Sequence, residues 1–89
     1  MNFGKALEAA KEGFKISREG WNGKGMWVCF MPPTIIPENL VNGRTKKFVP
    51  TGDLNVGGYF VIKTADGVWQ SGWAPSQADM VAEDWATVE

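Results

Sequence analysis

The chain contains no histidine and a single cysteine, Cys29. The first absence removes the commonest general base and the commonest transition-metal ligand together. A lone cysteine forms no internal disulfide, which fits a reducing cytoplasm. No apolar run approaches the ~18 residues that a membrane-spanning helix requires. The opening Met1-Asn2-Phe3-Gly4-Lys5 lacks the basic-then-apolar layout of a signal peptide. Nor is there a basic excess: nine Lys/Arg stand against ten Asp/Glu, for a net charge of −1. Binding to polymeric nucleic acid normally needs such an excess, because phosphate contacts supply most of the affinity.

What is present is a folded protein's composition. Hydrophobic residues make up 44% of the 89, with five Trp and five Phe. A chain of this length makes one domain, residues 1–89, and buries only ~60–65% of the surface it exposes when unfolded. Charge is unevenly placed. Residues 1–47 hold eight Lys/Arg against four Asp/Glu, whereas residues 48–89 hold one Lys against six Asp/Glu. A local basic spot for a small anion, or pairing of opposite charges between subunits, fits that split.

The spacing of Phe3, Ala6, Leu7 and Ala10 predicts a helix over 3–12, capped by Asn2 and ended by Gly13. Alternation from Phe14 to Arg18 predicts a half-buried strand. Glycines 20, 23 and 25 predict a loop, and Met26–Met31 a buried strand stopped by Pro32-Pro33. Residues 34–57 read as a long excursion with a short strand near 46–49. Tyr59–Lys63 and Val68–Ser71 form a hairpin about Ala65-Asp66-Gly67. A short helix over 76–82 follows, its Ser76 and Asp79 at capping-box spacing, then a last strand over 85–88. The connections are too short for parallel crossovers. The expected fold is therefore α+β: a small antiparallel sheet with one long N-terminal helix and one short C-terminal helix. So small a core favours an oligomer.

Two constellations carry chemistry. In Gly20-Trp21-Asn22-Gly23-Lys24-Gly25, the glycines let backbone N–H groups approach a ligand. Trp21 adds a flat face, Asn22 a donor–acceptor pair and Lys24 a mobile cation, a set suited to a stacked base and a phosphate. The same segment also reads as a glycine-rich connection whose Trp21 plugs the core. Its spacing matches neither a Walker loop nor a Rossmann fingerprint. In Trp73-Ala74-Pro75-Ser76-Gln77-Ala78-Asp79, an aromatic ring precedes a helix N-terminus. Gln77 and Asp79 can read hydroxyls or a base edge there; equally, Ser76 and Asp79 can simply cap their own helix. Trp27 and Trp69 read as core or interface residues and Trp85 as core, leaving Trp21 and Trp73 as stacking candidates. No catalytic set is visible. Cys29 lies in an apolar strand with no histidine to activate it, Asp66 in a turn, and the adjacent Glu83 and Asp84 diverge. No metal site and no cofactor is expected.

The segments Arg18–Met26, Trp73–Met80 and Ala82–Trp85, together with Asn2–Leu7 and Lys63–Gly67, resemble the second type of Thoeris anti-defence protein, a small phage and prophage family. The resemblance covers the chain except residues 34–57. It implies a sponge: a homotetramer in the host cytoplasm that binds a cyclic ADP-ribose isomer, the signal of Thoeris immunity, and sequesters it uncleaved. It further implies pockets between subunits and, in some members, a separate site for cyclic dinucleotides. Carried over onto matching positions, Trp21, Asn22 and Gly23 enter the pocket through the first motif, and Trp73, Ser76, Gln77 and Asp79 through the second. A ligand of about 35 heavy atoms at ~0.3 kcal/mol each reaches ~10 kcal/mol, or tens of nanomolar. Two other classes of function compete with this reading. One is a protein-interaction module that blocks a host defence factor through a Trp-rich face. The other is an enzyme that opens the cyclic nucleotide with Asp79 or Asp84 as base.

Overall fold

The computed structural model describes residues 1–21, 24–49 and 51–89. The N-terminal helix α1 spans Phe3–Lys11. The Asn2 side chain caps it by accepting from the Lys5 N–H at 2.9 Å. At its other end Gly13 takes φ +103°, and the Gly13 and Phe14 N–H groups donate back to the Ala10 and Ala9 carbonyls. Both ends are thus closed by the residues the sequence nominates. At nine residues, α1 is the longer helix but not a long one; the C-terminal helix α2 covers Gln77–Val81. Neither described helix is long and apolar enough to cross a membrane.

Among the described residues there are seven strands: β1 (Lys15–Arg18), β2 (Trp27–Met31), β3 (Thr34–Ile36), β4 (Leu54–Val56), β5 (Tyr59–Lys63), β6 (Trp69–Ser71) and β7 (Trp85–Val88). Five of them form an antiparallel sheet in the order β6-β5-β2-β1-β7. Alternation sends Ile16, Val28, Phe30, Phe60, Ile62 and Trp85 to one face. Ala6 and Ala10 of α1 meet that face, and their small side chains allow the helix to approach closely. Ala6, Ala10, Ile16, Val28 and Trp85 are buried there and form the core. One such layer-on-layer contact is what a chain of this size can build.

The 34–57 excursion differs from expectation. The short strand expected near 46–49 does not form. Thr45–Lys47 is instead a turn of 3-10 helix, in which the Lys47 and Phe48 N–H groups donate to the Arg44 and Thr45 carbonyls three residues back. The strands of this segment are β3 and β4, which pair with each other. Their register continues that of the β2–β5 ladder. The pairs run from Trp27↔Lys63 to Met31↔Tyr59 and resume at Thr34↔Val56 without a slip. Residues 27–63 are therefore one long hairpin, broken only where Pro32-Pro33 face Gly57-Gly58. Proline supplies no ladder N–H, so the ribbon kinks there and continues as an arm. At its tip the Glu38 N–H donates to Asp53 at 3.0 Å, and Val41 is buried. The arm explains the 45 × 26 × 25 Å envelope. It also explains a radius of gyration of 15.6 Å, against the ~12 Å expected of a compact chain this long.

Gly58 is fixed by the kink. A Cβ there would lie 2.8 Å from Phe30 Cζ and 3.2 Å from Pro33 Cδ, whereas one on Gly57 would meet nothing within 4 Å. The Phe30 ring cannot simply swing away, since it packs on Phe60 with centroids 5.1 Å apart. Gly58→Ala should therefore destabilise by ~1–3 kcal/mol, the range for overpacking. Gly57→Ala should be nearly neutral. Thermal unfolding of the pair checks this; equal melting temperatures would contradict the assigned crowding.

Candidate functional site

The two motifs, Gly20–Gly25 and Trp73–Asp79, lie far apart in sequence and meet at Asp79. This carboxylate sits on α2 as the third helical residue. Its Oδ2 accepts from the Ser76 N–H at 2.9 Å, while Ser76 Oγ accepts from the Asp79 N–H at 3.1 Å. That reciprocal box starts the helix. The other oxygen reaches across to the first motif. Oδ1 accepts from the Trp21 indole Nε1–H at 3.0 Å and from the Arg18 guanidinium at 2.9 Å. The Asp79 carbonyl also accepts from the Trp85 indole at 2.9 Å. One residue thus ties loop, strand and helix together.

Arg18 is the second tie. Its Nε donates to Asp84 Oδ1 at 2.9 Å, so the guanidinium spans two carboxylates. Asp84 Oδ2 in turn accepts from the Gly20 N–H at 2.8 Å. A Cβ on Gly20 would stand 2.9 Å from that oxygen, so the first motif's opening glycine is required by close approach. Burial alone would raise the Asp79 carboxyl. The Ser76 backbone, the Trp21 indole and Arg18 outweigh it and hold the group down at about 2. Asp84 is also lowered, chiefly by Arg18, and Arg18 is raised by Asp84 and Asp79.

Around this polar clasp lies an aromatic cluster. Trp21 meets Trp85 edge-on at 5.3 Å and Trp73 at 6.5 Å, and Trp73 meets Phe60 at 6.2 Å. Edge-to-face contacts of this kind hold rings in fixed orientation. Trp85 is buried, as its place after α2 predicts, whereas Trp21 and Trp73 are half-buried. Ser76 and Gln77 are exposed beside them, as is Lys24 on the loop's far side. Asn22 and Gly23 lie outside the described residues. Of the sequence candidates, then, Trp21, Trp73, Ser76, Gln77 and Asp79 gather around one clasp. Asp79 spends its carboxylate oxygens inside the fold. Arg18 is neutralised by two carboxylates. Sequence reasoning missed Asp84 as its second partner, and no periodicity marks it. A concavity of about 120 Å³ lies elsewhere, at the arm tip, lined by Glu38, Val41, Lys46, Val49, Thr51 and Gly52.

Residues 1–88 match the family model described as the Thoeris anti-defense 2-like domain. The chain is 36% identical over 88 residues to "Thoeris anti-defense 2" of Bacillus phage SP01, covering 99% of this chain and 94% of that protein.

Proposed function

The chain belongs to the Thoeris anti-defense 2-like family, and from that premise we propose that it binds a cyclic ADP-ribose isomer in the host cytoplasm and sequesters it uncleaved, as a homotetramer. The observation that carries this reading is the clasp at Asp79. It draws the glycine-rich loop and the start of α2 onto one surface and presents two fixed, half-buried indoles, Trp21 and Trp73, side by side. An indole face suits adenine, with ~1–3 kcal/mol per stacked base. Gln77 and Ser76 can meet ribose hydroxyls, and Lys24 with the N–H groups of its loop can meet the phosphates. Asn22 and Gly23 complete the proposed set from the same loop.

Asp79 acts as a positioning residue rather than a ligand contact. Its carboxyl, held at about 2, stays ionised at neutral pH with both oxygens occupied. A group so tied is a poor proton shuttle, because general acid–base catalysis works best near the operating pH. This supports storage over cleavage. A ligand of this size usually fills ~300–1,000 Å³. The half-buried rings here form one wall of such a space, which suits a pocket closed by a second subunit.

Calorimetric titration with a panel tests the reading: the glycocyclic isomer, ordinary cyclic ADP-ribose and a cyclic dinucleotide. The expected result is binding of the glycocyclic isomer at tens of nanomolar or tighter. Heat from the cyclic dinucleotide with the isomer site saturated would mark a separate second site. No heat from any member of the panel would overturn the proposal.

A further inference from the structure

The arm ends in a turn that neither the core nor the clasp uses. Asn42 starts it: the side chain accepts from the Thr45 N–H at 2.8 Å and the carbonyl from the Lys46 N–H at 3.0 Å. In 3-10 geometry, side chains three residues apart eclipse. Lys46 and Val49 share one side, and both line the concavity at the arm tip. Arg44 and Lys47 share another, and both are exposed. Phe48 follows directly. At 82% it is the most exposed large hydrophobic side chain among the described residues, and Leu40, 68% exposed, ends the arm's other 3-10 turn. A single exposed Leu or Phe needs no explanation. Two beside a group of cations at the end of an arm do. From Asn39 to Gly52 the chain carries Arg44, Lys46 and Lys47 and no carboxylate. None of the three forms an ion pair among the described residues.

We infer that the arm tip docks the chain on an anionic lipid surface. Phe48 and Leu40 enter the headgroup layer, and Arg44, Lys46 and Lys47 meet the lipid phosphates. The net charge of −1 does not oppose this, because the arm holds its cations away from most carboxylates. Asp79 and Asp84 bind Arg18, and Asp66 lies in the turn between β5 and β6, all at the Trp27↔Lys63 end of the sheet. At ~3.4 Å per residue, the ribbon from Trp27 to Ile36 reaches up to ~30 Å. Screening at 0.1 M salt acts over ~10 Å, so an approaching surface meets the cations of the tip. The nearer Glu38 and Asp53 flank the turn, and Asp53 accepts from the Glu38 N–H. A bilayer suits the tip better than an acidic protein. Phe48 and Leu40 protrude, and neither belongs to the walls of the concavity. A protein partner would need a pocket matched to each side chain, whereas a headgroup layer admits protruding apolar groups of any shape. Each Lys or Arg near an anionic leaflet is worth roughly five-fold in affinity, so three give about a hundred-fold preference over a neutral one. With no acyl chain or spanning helix to add to it, such attachment is reversible.

Flotation of the full chain with vesicles tests the assignment without nucleotide, so its failure leaves the proposed function untouched. One set of vesicles is phosphatidylcholine alone; the other is equal parts phosphatidylcholine and phosphatidylglycerol. The anionic vesicles should hold the protein at least ten-fold more tightly, and raised salt should release it. Lys47→Glu should weaken that binding at least ten-fold, and Phe48→Ser at least three-fold. Val81→Ser removes a comparably exposed apolar side chain from α2 and should change nothing. All three substitutions fall on exposed side chains, so the circular dichroism spectrum and the mass in solution should stay as in the parent. Failure of the parent to float with the anionic vesicles would overturn the assignment. Binding that survives both Lys47→Glu and Phe48→Ser would overturn it by placing the contact elsewhere. A changed mass in Phe48→Ser would make the tip a subunit contact instead. Tighter binding to soluble polyglutamate than to the vesicles would overturn it in favour of an acidic protein.

Discussion

Asp79→Ala is expected to destabilise the protein by on the order of 3 kcal/mol, because a part-buried carboxylate loses an ion pair and two further hydrogen bonds at once. At ~0.05–0.15 kcal/mol per residue, that is much of the stability a chain of this length possesses. The size follows from what the residue holds. It is 8% exposed and binds Arg18, the Trp21 indole and the Ser76 N–H at once. Removing it leaves a guanidinium short of a partner, an indole N–H unmet and the Ser76 N–H without its acceptor, though the Ser76 hydroxyl still caps α2. Asp79→Asn keeps an acceptor but loses the charge, and should fall between the parent and the alanine variant. Acid should reproduce part of the effect. Folding lowers this carboxyl from an ordinary 3.8 to about 2. The stabilisation it contributes is therefore complete above pH ~4 and is lost as pH falls towards 2. At 1.36 kcal/mol per unit, the contribution is about 2 kcal/mol. Asp84, lowered in the same direction, adds to the loss in the same window. Thermal melts from pH 7 to pH 2 check this. The parent should lose stability steeply below pH 4, and Asp79→Asn less steeply. Parallel curves would show that Asp79 does not carry the clasp.

Trp21→Ala is expected to weaken binding of the cyclic ADP-ribose isomer at least ten-fold. Loss of one stacked base is worth ~1–3 kcal/mol, and ten-fold corresponds to ~1.4 kcal/mol. The ring also packs on Trp85 and Trp73, so this variant will be less stable as well, and binding must be measured well below its melting temperature. Trp21→Phe separates the two roles. It keeps an aromatic face but gives up the hydrogen bond to Asp79 and part of the packing on Trp85 and Trp73. Its affinity should stay within a few-fold of the parent, with a modest fall in melting temperature. If folded Trp21→Ala binds as the parent does, the ring belongs to the core and not to the ligand.

Much of the fold was legible because local chemistry dictates it. Asn2 and Gly13 bracket α1 by their capping roles, and Ser76 with Asp79 starts α2 as the spacing foretells. The apolar run at Met26–Met31 and the turn before Val68 have no competing reading. The arm was illegible for two reasons. Three-residue strands such as Thr34–Ile36 carry too little pattern to register, and the prolines that stop a ladder do not reveal that it resumes beyond them. The short strand expected near 46–49 lies in a segment of weak signal, and its backbone N–H groups close a local 3-10 turn instead of pairing with a distant strand. At the site, residue types were legible and their division of labour was not. Asp79 has the chemistry to read a hydroxyl and equally to bind Arg18. Which it does depends on β7 pairing with β1, which brings Arg18 within reach of α2 and is invisible to any local window.

Recovery of the signal from the loaded protein tests the central claim most directly. The protein is incubated with an equimolar cyclic ADP-ribose isomer, freed of unbound ligand, denatured by heat and analysed by mass spectrometry. The account predicts that the isomer is retained near one-to-one with its sites and returns with its mass and ring intact. Linear or hydrolysed product, or no nucleotide carried through the separation, would contradict it.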